Sequence, residues 1–145
     1  MPNFSRTVTV SSDIDSAFGF LSDFRNLEKW AEGDEGELIT KEPLRQGSVF
    51  KVKTHFNNKP REYDYEIIEW GPPLRVSLQA STSIFTIVDT IFLSANSKGT
   101  EVTYSVDIKY KFPFFIFGIF VGTIFNKIMD KQIKNLEAVL GPVQD

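Results

Sequence analysis

At 145 residues, with 41% hydrophobic and 24% charged side chains, the chain has the size and balance of one globular domain, long enough to bury roughly 70% of its unfolded surface and too short for a second domain. A formal charge of −3, with acids concentrated between Asp13 and Glu42, offers no basic field to a phosphate backbone, so nucleic-acid binding is disfavoured. The absence of Cys and the single His55 exclude disulfides, thiol chemistry, Cys-ligated zinc and His-cluster metal sites, so neither a metal nor a cofactor is expected.

The stretch Met1–Val10 lacks the charged-then-apolar layout of a signal peptide, which makes the cytoplasm the expected location. Phe4, Arg6, Val8 and Val10 alternate there with Ser5, Thr7 and Thr9, predicting a first strand over residues 3–10. Ser12, with Asp15 three positions on, resembles a capping box, and Ile14, Ala17, Phe18 and Leu21 follow at helical spacing. A short second helix is predicted over Asp23–Trp30 with Phe24, Leu27 and Trp30 inward; Gly33 and Gly36 then lead into a short strand near Glu37–Thr40.

From Gly47 the pattern changes to period two, and turn signals at Asn57–Pro60, Trp70–Pro73, Ser81–Ile84 and Ala95–Gly99 divide it into five strands of an antiparallel meander. A four-residue turn at Asn57–Pro60 sets Lys51, Lys53 and His55 opposite Glu66, Asp64 and Glu62 on one face. On the other face Phe50, Val52 and Thr54 meet Ile67, Tyr65 and Tyr63, and this face must be the covered one, because a one-residue slip would expose all of it. Continuing the register pairs Ile67 with Val76 and Tyr65 with Leu78. Matching apolar with apolar in the last hairpin sets Phe85, Ile87, Asp89 and Ile91 beside Ile108, Val106, Tyr104 and Val102.

After Pro113 a long helix is predicted to Leu140. In its second half Ile124, Ile128, Ile133, Leu136 and Leu140 form a stripe opposite Lys127, Lys131 and Lys134, and that stripe is expected to grip the sheet. The first half, Phe112–Phe125, holds six of the 14 Phe, two Gly and no charge, so it is apolar on every side. Three fates are open to its outer face: cover by loops and the first helices, a dip into a bilayer during loading, or pairing with a second copy through Gly118 and Gly122. It is too short to span a membrane.

Four segments together resemble the polyketide cyclase/dehydrase and lipid-transport proteins of the START-like, Bet v 1-like (SRPBCC) superfamily. They are Phe18–Trp30 (FGFLSDFRNLEKW), Gly47–Phe50 (GSVF), Tyr63–Val76 (YDYEIIEWGPPLRV) and Asp89–Tyr104, which ends in GTEVTY. The resemblance spans nearly the whole chain, as a single domain over residues 1–145. It implies an α+β helix-grip fold, in which a curved antiparallel sheet (β-α-α-β6-α) wraps a long C-terminal helix and encloses a cavity. It also implies binding or transformation of hydrophobic molecules, and it nominates no catalytic residue, because the family has no universal catalytic motif.

On the residues themselves, Phe50, Val52, Tyr65, Ile67, Val76, Leu78, Ile87 and Val106 are expected to line an apolar pocket. Asp89, placed on that face between Val76 and Tyr104, is the most informative polar group. With Tyr104, and with Tyr65 near, it either orients a ligand's polar end or serves as an acid/base pair; the plainer alternative is a structural hydrogen bond. Thr54 and Tyr63 form a second polar pair near the mouth, Phe117 and Phe120 a wall of it, and His55 should face outward. These features favour a non-enzymatic carrier of a hydrophobic small molecule (lipid, isoprenoid, sterol or polyketide-like). The alternatives are a cyclase or dehydratase using Asp89 and Tyr104, and an interaction module that docks through residues 112–125, the segment expected to meet a membrane surface or a second copy.

Overall fold

The computed structural model describes residues 3–56 and 58–143, apart from the side chains of Phe56 and Phe120. Strand β1 (Asn3–Val10) leads to helix α1 (Ile14–Leu21), a 3₁₀ helix (Phe24–Lys29) and β2 (Glu35–Leu38). The meander follows: β3 (Val49–Phe56), β4 (Lys59–Gly71), β5 (Arg75–Ser81), β6 (Phe85–Asn96) and β7 (Gly99–Tyr110). A short 3₁₀ turn (Phe114–Ile116) then opens helix α2 (Phe117–Leu140). Among the described residues the strands form one seven-stranded antiparallel sheet in the order β1-β7-β6-β5-β4-β3-β2, with α2 packed over its inner face. This is the helix-grip α+β fold.

Period-two alternation explains which face is covered. Phe50, Val52, Tyr65, Ile67, Val76, Leu78, Ile87, Ile91, Val102 and Val106 are all buried, and each fully buried Val, Leu, Ile or Phe stabilises the fold by about 1.5–3 kcal/mol. Phe24, Leu27 and Trp30 are buried as predicted, and Phe24 lies against Phe50 and Tyr65 at ring-centroid distances of 5.8 and 5.6 Å. Arg6, the one charge on the inner side of β1, is half-buried beneath α2, where its Nε donates to Asp130 Oδ1 at 2.7 Å and Nη2 donates to Asn126 Oδ1 at 3.0 Å.

The strand partners differ from those expected, although the faces do not. Phe56 pairs with Lys59, so the first hairpin turns through two residues rather than four, with Asn58 at a φ of 61° that suits such a turn; Asn57 lies outside the described residues. Phe50 therefore meets Tyr65, Val52 meets Tyr63, Thr54 meets Arg61 and His55 meets Pro60, while Lys51 and Lys53 meet Asp64 and Glu62. The last hairpin is displaced by two residues in the opposite direction: Phe85, Ile87, Asp89 and Ile91 sit opposite Tyr110, Ile108, Val106 and Tyr104. A shift of two residues preserves every side chain's face. Between β4 and β5 a bulge after Ile67 sets Ile67 against Leu78 and Trp70 against Val76, instead of the expected Ile67–Val76 and Tyr65–Leu78 pairs.

Three further corrections concern the helices and β2. Asp13, not Ser12, caps α1, its carboxylate accepting from the Ser16 N–H at 3.4 Å. Ser12 serves instead as a latch: its N–H donates to the Leu140 carbonyl at 3.2 Å, and the Ser11 N–H donates to the Gly141 carbonyl at 2.8 Å, tying the end of α2 to the end of β1. Ile124 lies outside the gripping stripe and is 38% exposed, because Val121, Phe125, Met129, Ile133, Leu136 and Leu140 carry the helical period inward. β2 begins two residues earlier than predicted, at Glu35.

Candidate functional site

Between α2 and the inner face of the sheet lies a cavity of about 160 Å³. Its floor is buried and mostly apolar: Phe24 and Leu27 from the 3₁₀ helix, Ala31 just beyond it, Val52 and Tyr65 from β3 and β4, Ile87 and Asp89 from β6, Tyr104, Val106 and Ile108 from β7, and Met129 from α2. Its rim is partly or fully solvated and more polar, formed by Asp34, Thr54, His55, Tyr63, Phe85, Tyr110, Phe125, Ile128 and Gln132. A curved sheet closed by a single helix leaves this space because the 3₁₀ segment covers only part of the sheet that α2 does not reach.

Asp89 is the chemical centre of the floor. It lies between Leu78 on β5 and Val106 on β7, and Tyr104, one diagonal step along β7, donates its O–H to Asp89 Oδ2 at 2.8 Å. The other carboxylate oxygen, Oδ1, is buried and has no hydrogen-bond partner among the described residues. Burial pushes the Asp89 carboxyl up to about 7; the Tyr104 hydrogen bond opposes that rise and the charge on Asp34 adds to it. Burial and the nearby Asp89 charge likewise push the Tyr104 and Tyr65 phenols well above their ordinary range, so both remain neutral donors.

A second polar cluster stands at the rim. The Thr54 hydroxyl donates to Asp34 Oδ1. Burial raises the Asp34 carboxyl above its usual range, against the effects of that hydrogen bond and of nearby His55. Tyr63 stacks obliquely on Phe85 at 5.7 Å, and Tyr110 bridges Phe85 at 6.0 Å and Phe117 at 6.2 Å. The rim thus continues into the Phe-rich segment, whose outer face is uncovered: Phe112 is 81% exposed and Ile119 76%, with Phe115, Ile116 and Phe117 also exposed. Among the described residues, cover by loops and the first helices, one of the three fates open to this face, does not occur.

A family model described as polyketide cyclase / dehydrase and lipid transport matches residues 1–141. The chain belongs to that family. Among solved structures, a START superfamily protein from Mycobacterium smegmatis superposes with a TM-score of 0.78 at 13% identity, covering 95% of this chain and 96% of its own. A protein from Chromobacterium violaceum gives 0.73 at 15% identity, covering 97% of both chains. The di-domain ARO/CYC protein StfQ of the steffimycin biosynthetic pathway gives 0.72 at 8% identity, covering 95% of this chain and 50% of that one. At these identities the likeness is one of fold. Comparison with curated proteins gives no match.

Within this family member, Val52, Thr54, Tyr63, Tyr65, Ile87, Asp89, Tyr104 and Val106 border the cavity. Phe50, Ile67, Val76 and Leu78 do not: they are buried among other side chains beyond the floor, and Phe117 projects from the rim into water. The side chain of Phe120 lies outside the described residues. His55 is exposed as expected, yet it borders the rim. Sequence reasoning missed Asp34, which sits in a loop where no periodicity assigns a face. It also missed Phe125, because a half-helix apolar on every side does not announce its inner edge, and Met129 and Gln132, because the predicted stripe includes Ile124 and Ile128 while the inward period runs through Phe125 and Met129. Phe24 and Leu27 were legible as inward residues but not as cavity wall.

Proposed function

We propose that this protein binds and transfers a hydrophobic small molecule held between the sheet and α2. The observation that carries the reading is the cavity itself: buried, walled by apolar and aromatic side chains, and opening at a rim continuous with exposed Phe residues. Family membership supports a ligand-binding or cyclase-type role and leaves the two unseparated. The exposed collar Phe112–Ile119 gives a carrier a place to touch an apolar surface while it loads, with a bilayer as the intended surface and a second copy as the competing one. Native mass spectrometry and solvent extraction of the purified protein should find a hydrophobic passenger, or an apolar probe should enter the emptied cavity. A protein that carries nothing and admits no apolar probe would overturn the reading.

One observation favours an enzymatic second reading. Asp89, Tyr104 and Tyr65 border one cavity, and the Asp89–Tyr104 pair is hydrogen-bonded with a carboxyl poised to titrate near neutrality. A cyclase or dehydratase would use the carboxylate to remove a proton and the phenol to polarise a carbonyl. Incubation with poly-β-ketone substrate analogues separates the readings: turnover that is lost in both Asp89→Asn and Tyr104→Phe supports the enzyme, and binding without turnover supports the carrier.

A further inference from the structure

Taken as the carrier's binding site proposed above, the cavity has a charge pattern that narrows what it can hold. Among the described residues its wall contains two carboxylates, Asp34 and Asp89, and no Lys or Arg; the one basic side chain, His55, is exposed at the rim. An anionic headgroup brought inside would lose its hydration, gain no counter-charge and face like charge from both aspartates. A ligand ending in a carboxylate or phosphate is therefore disfavoured with that end inward. An ammonium ligand could pair with Asp89, but burying both charges carries a desolvation penalty that the attraction need not offset.

The floor also presents an unmet acceptor. Asp89 is 6% exposed and borders the cavity, its Oδ2 is occupied by Tyr104, and its Oδ1 is buried with no hydrogen-bond partner among the described residues. Buried polar atoms are rarely left unpaired, and the space next to this one is the cavity. A hydrogen-bond donor on a ligand satisfies it without bringing a charge. Size limits the remainder of the molecule. A dry apolar cavity of about 150 Å³ is known to accept a single aromatic ring, and at about 160 Å³ with an open rim this one suits one or two rings. The ring edges and faces of Phe24, Tyr65, Tyr104 and Phe85 suit an aromatic guest.

We propose that the ligand is a neutral one- or two-ring molecule that enters with an O–H group foremost and donates it to Asp89 Oδ1. Titration of the full chain with four size-matched probes, naphthol, naphthalene, naphthoate and naphthylmethylammonium, at about pH 8 tests this, because a hydrogen bond to a charged acceptor is worth about tenfold or more in affinity. Naphthol is expected to bind at least about tenfold more tightly than naphthalene, and naphthoate more weakly than either. Asp89→Leu should bring the naphthol-to-naphthalene ratio to about one, and the near-isosteric Asp89→Asn should lower it, so the result does not hang on one variant folding. Equal affinity for naphthol and naphthalene in the unaltered protein would overturn the proposal while leaving the carrier reading intact, as would tighter binding of the naphthoate or the ammonium. Failure of all four probes, naphthalene included, would count against the carrier reading and take this inference with it.

Discussion

A carboxylate held in an apolar floor costs the fold something that depends on pH, and the sign follows from where the proton resides. In the folded chain burial raises Asp89 to about 7 from an ordinary 3.8, with Tyr104, Tyr65 and Asp34 the titratable groups around it. The folded state keeps its proton where the unfolded chain has already released it. Stability from this group is thus fully present below about pH 4 and is lost as pH rises through about 7. The displacement corresponds to roughly 4 kcal/mol as an upper figure. Asp89→Asn removes the titration, so the stability of the variant relative to the parent should climb between about pH 4 and pH 7 and then level off. Urea midpoints measured across that range check it; a difference that stays flat would mean that Asp89 ionises as if in water. Tyr104→Phe removes the hydrogen bond that holds the carboxyl down, so the upper end of the same window should extend to higher pH while its lower end, set by the unfolded chain, stays near about pH 4.

At the scale of elements, the cavity floor depends on how closely β2 approaches the 3₁₀ helix. A methyl group on Gly36 would sit 1.9 Å from the Phe24 carbonyl oxygen, a backbone atom that cannot rotate away. Gly36→Ala should push the two segments apart, lift Phe24 off Phe50 and Tyr65, and cost about 1–3 kcal/mol. Gly19, in the exposed face of α1, has nothing within 4 Å of the corresponding position. Gly19→Ala should therefore stabilise by about 0.5–1 kcal/mol, through helix propensity alone. Chemical denaturation of the pair reads opposite signs, and a shared sign would refute the close approach. The same elements explain what the sequence could reveal. Alternation determines the face of every strand residue, which is why Val52, Tyr65, Asp89 and Val106 could be assigned inward. Partners depend on where each turn closes: the turn after Phe56 closes two residues sooner than composition suggested, and the last hairpin turns one residue further along the chain, so Tyr104 reaches Asp89 on a diagonal rather than directly opposite. The bulge had a trace, the adjacent Ile67 and Ile68 that break strict alternation, whereas the loop position of Asp34 had none.

Over the whole molecule, the polar and apolar surfaces divide the work. The chain is acidic, yet at the mouth of its cavity it leaves Phe112, Phe115, Ile116, Phe117 and Ile119 in water. Side chains as exposed as Ile119, at 76%, contribute little to folding, so the fold does not account for their apolarity. If the collar meets a bilayer during loading, Phe115→Asp combined with Ile119→Asp should change stability by no more than about 0.5 kcal/mol. The double variant should keep its affinity for an apolar probe in solution, because neither residue borders the cavity. It should take up the same probe from neutral phosphatidylcholine vesicles several-fold more slowly, because the acids repel the interface and the apolar contact is gone. Neutral vesicles are the informative choice, since an acidic protein is already repelled by anionic ones. Uptake at the parent's rate would remove the collar from the loading step. A sedimentation coefficient that falls with the double substitution in the absence of vesicles would assign the collar to a second copy of the chain instead.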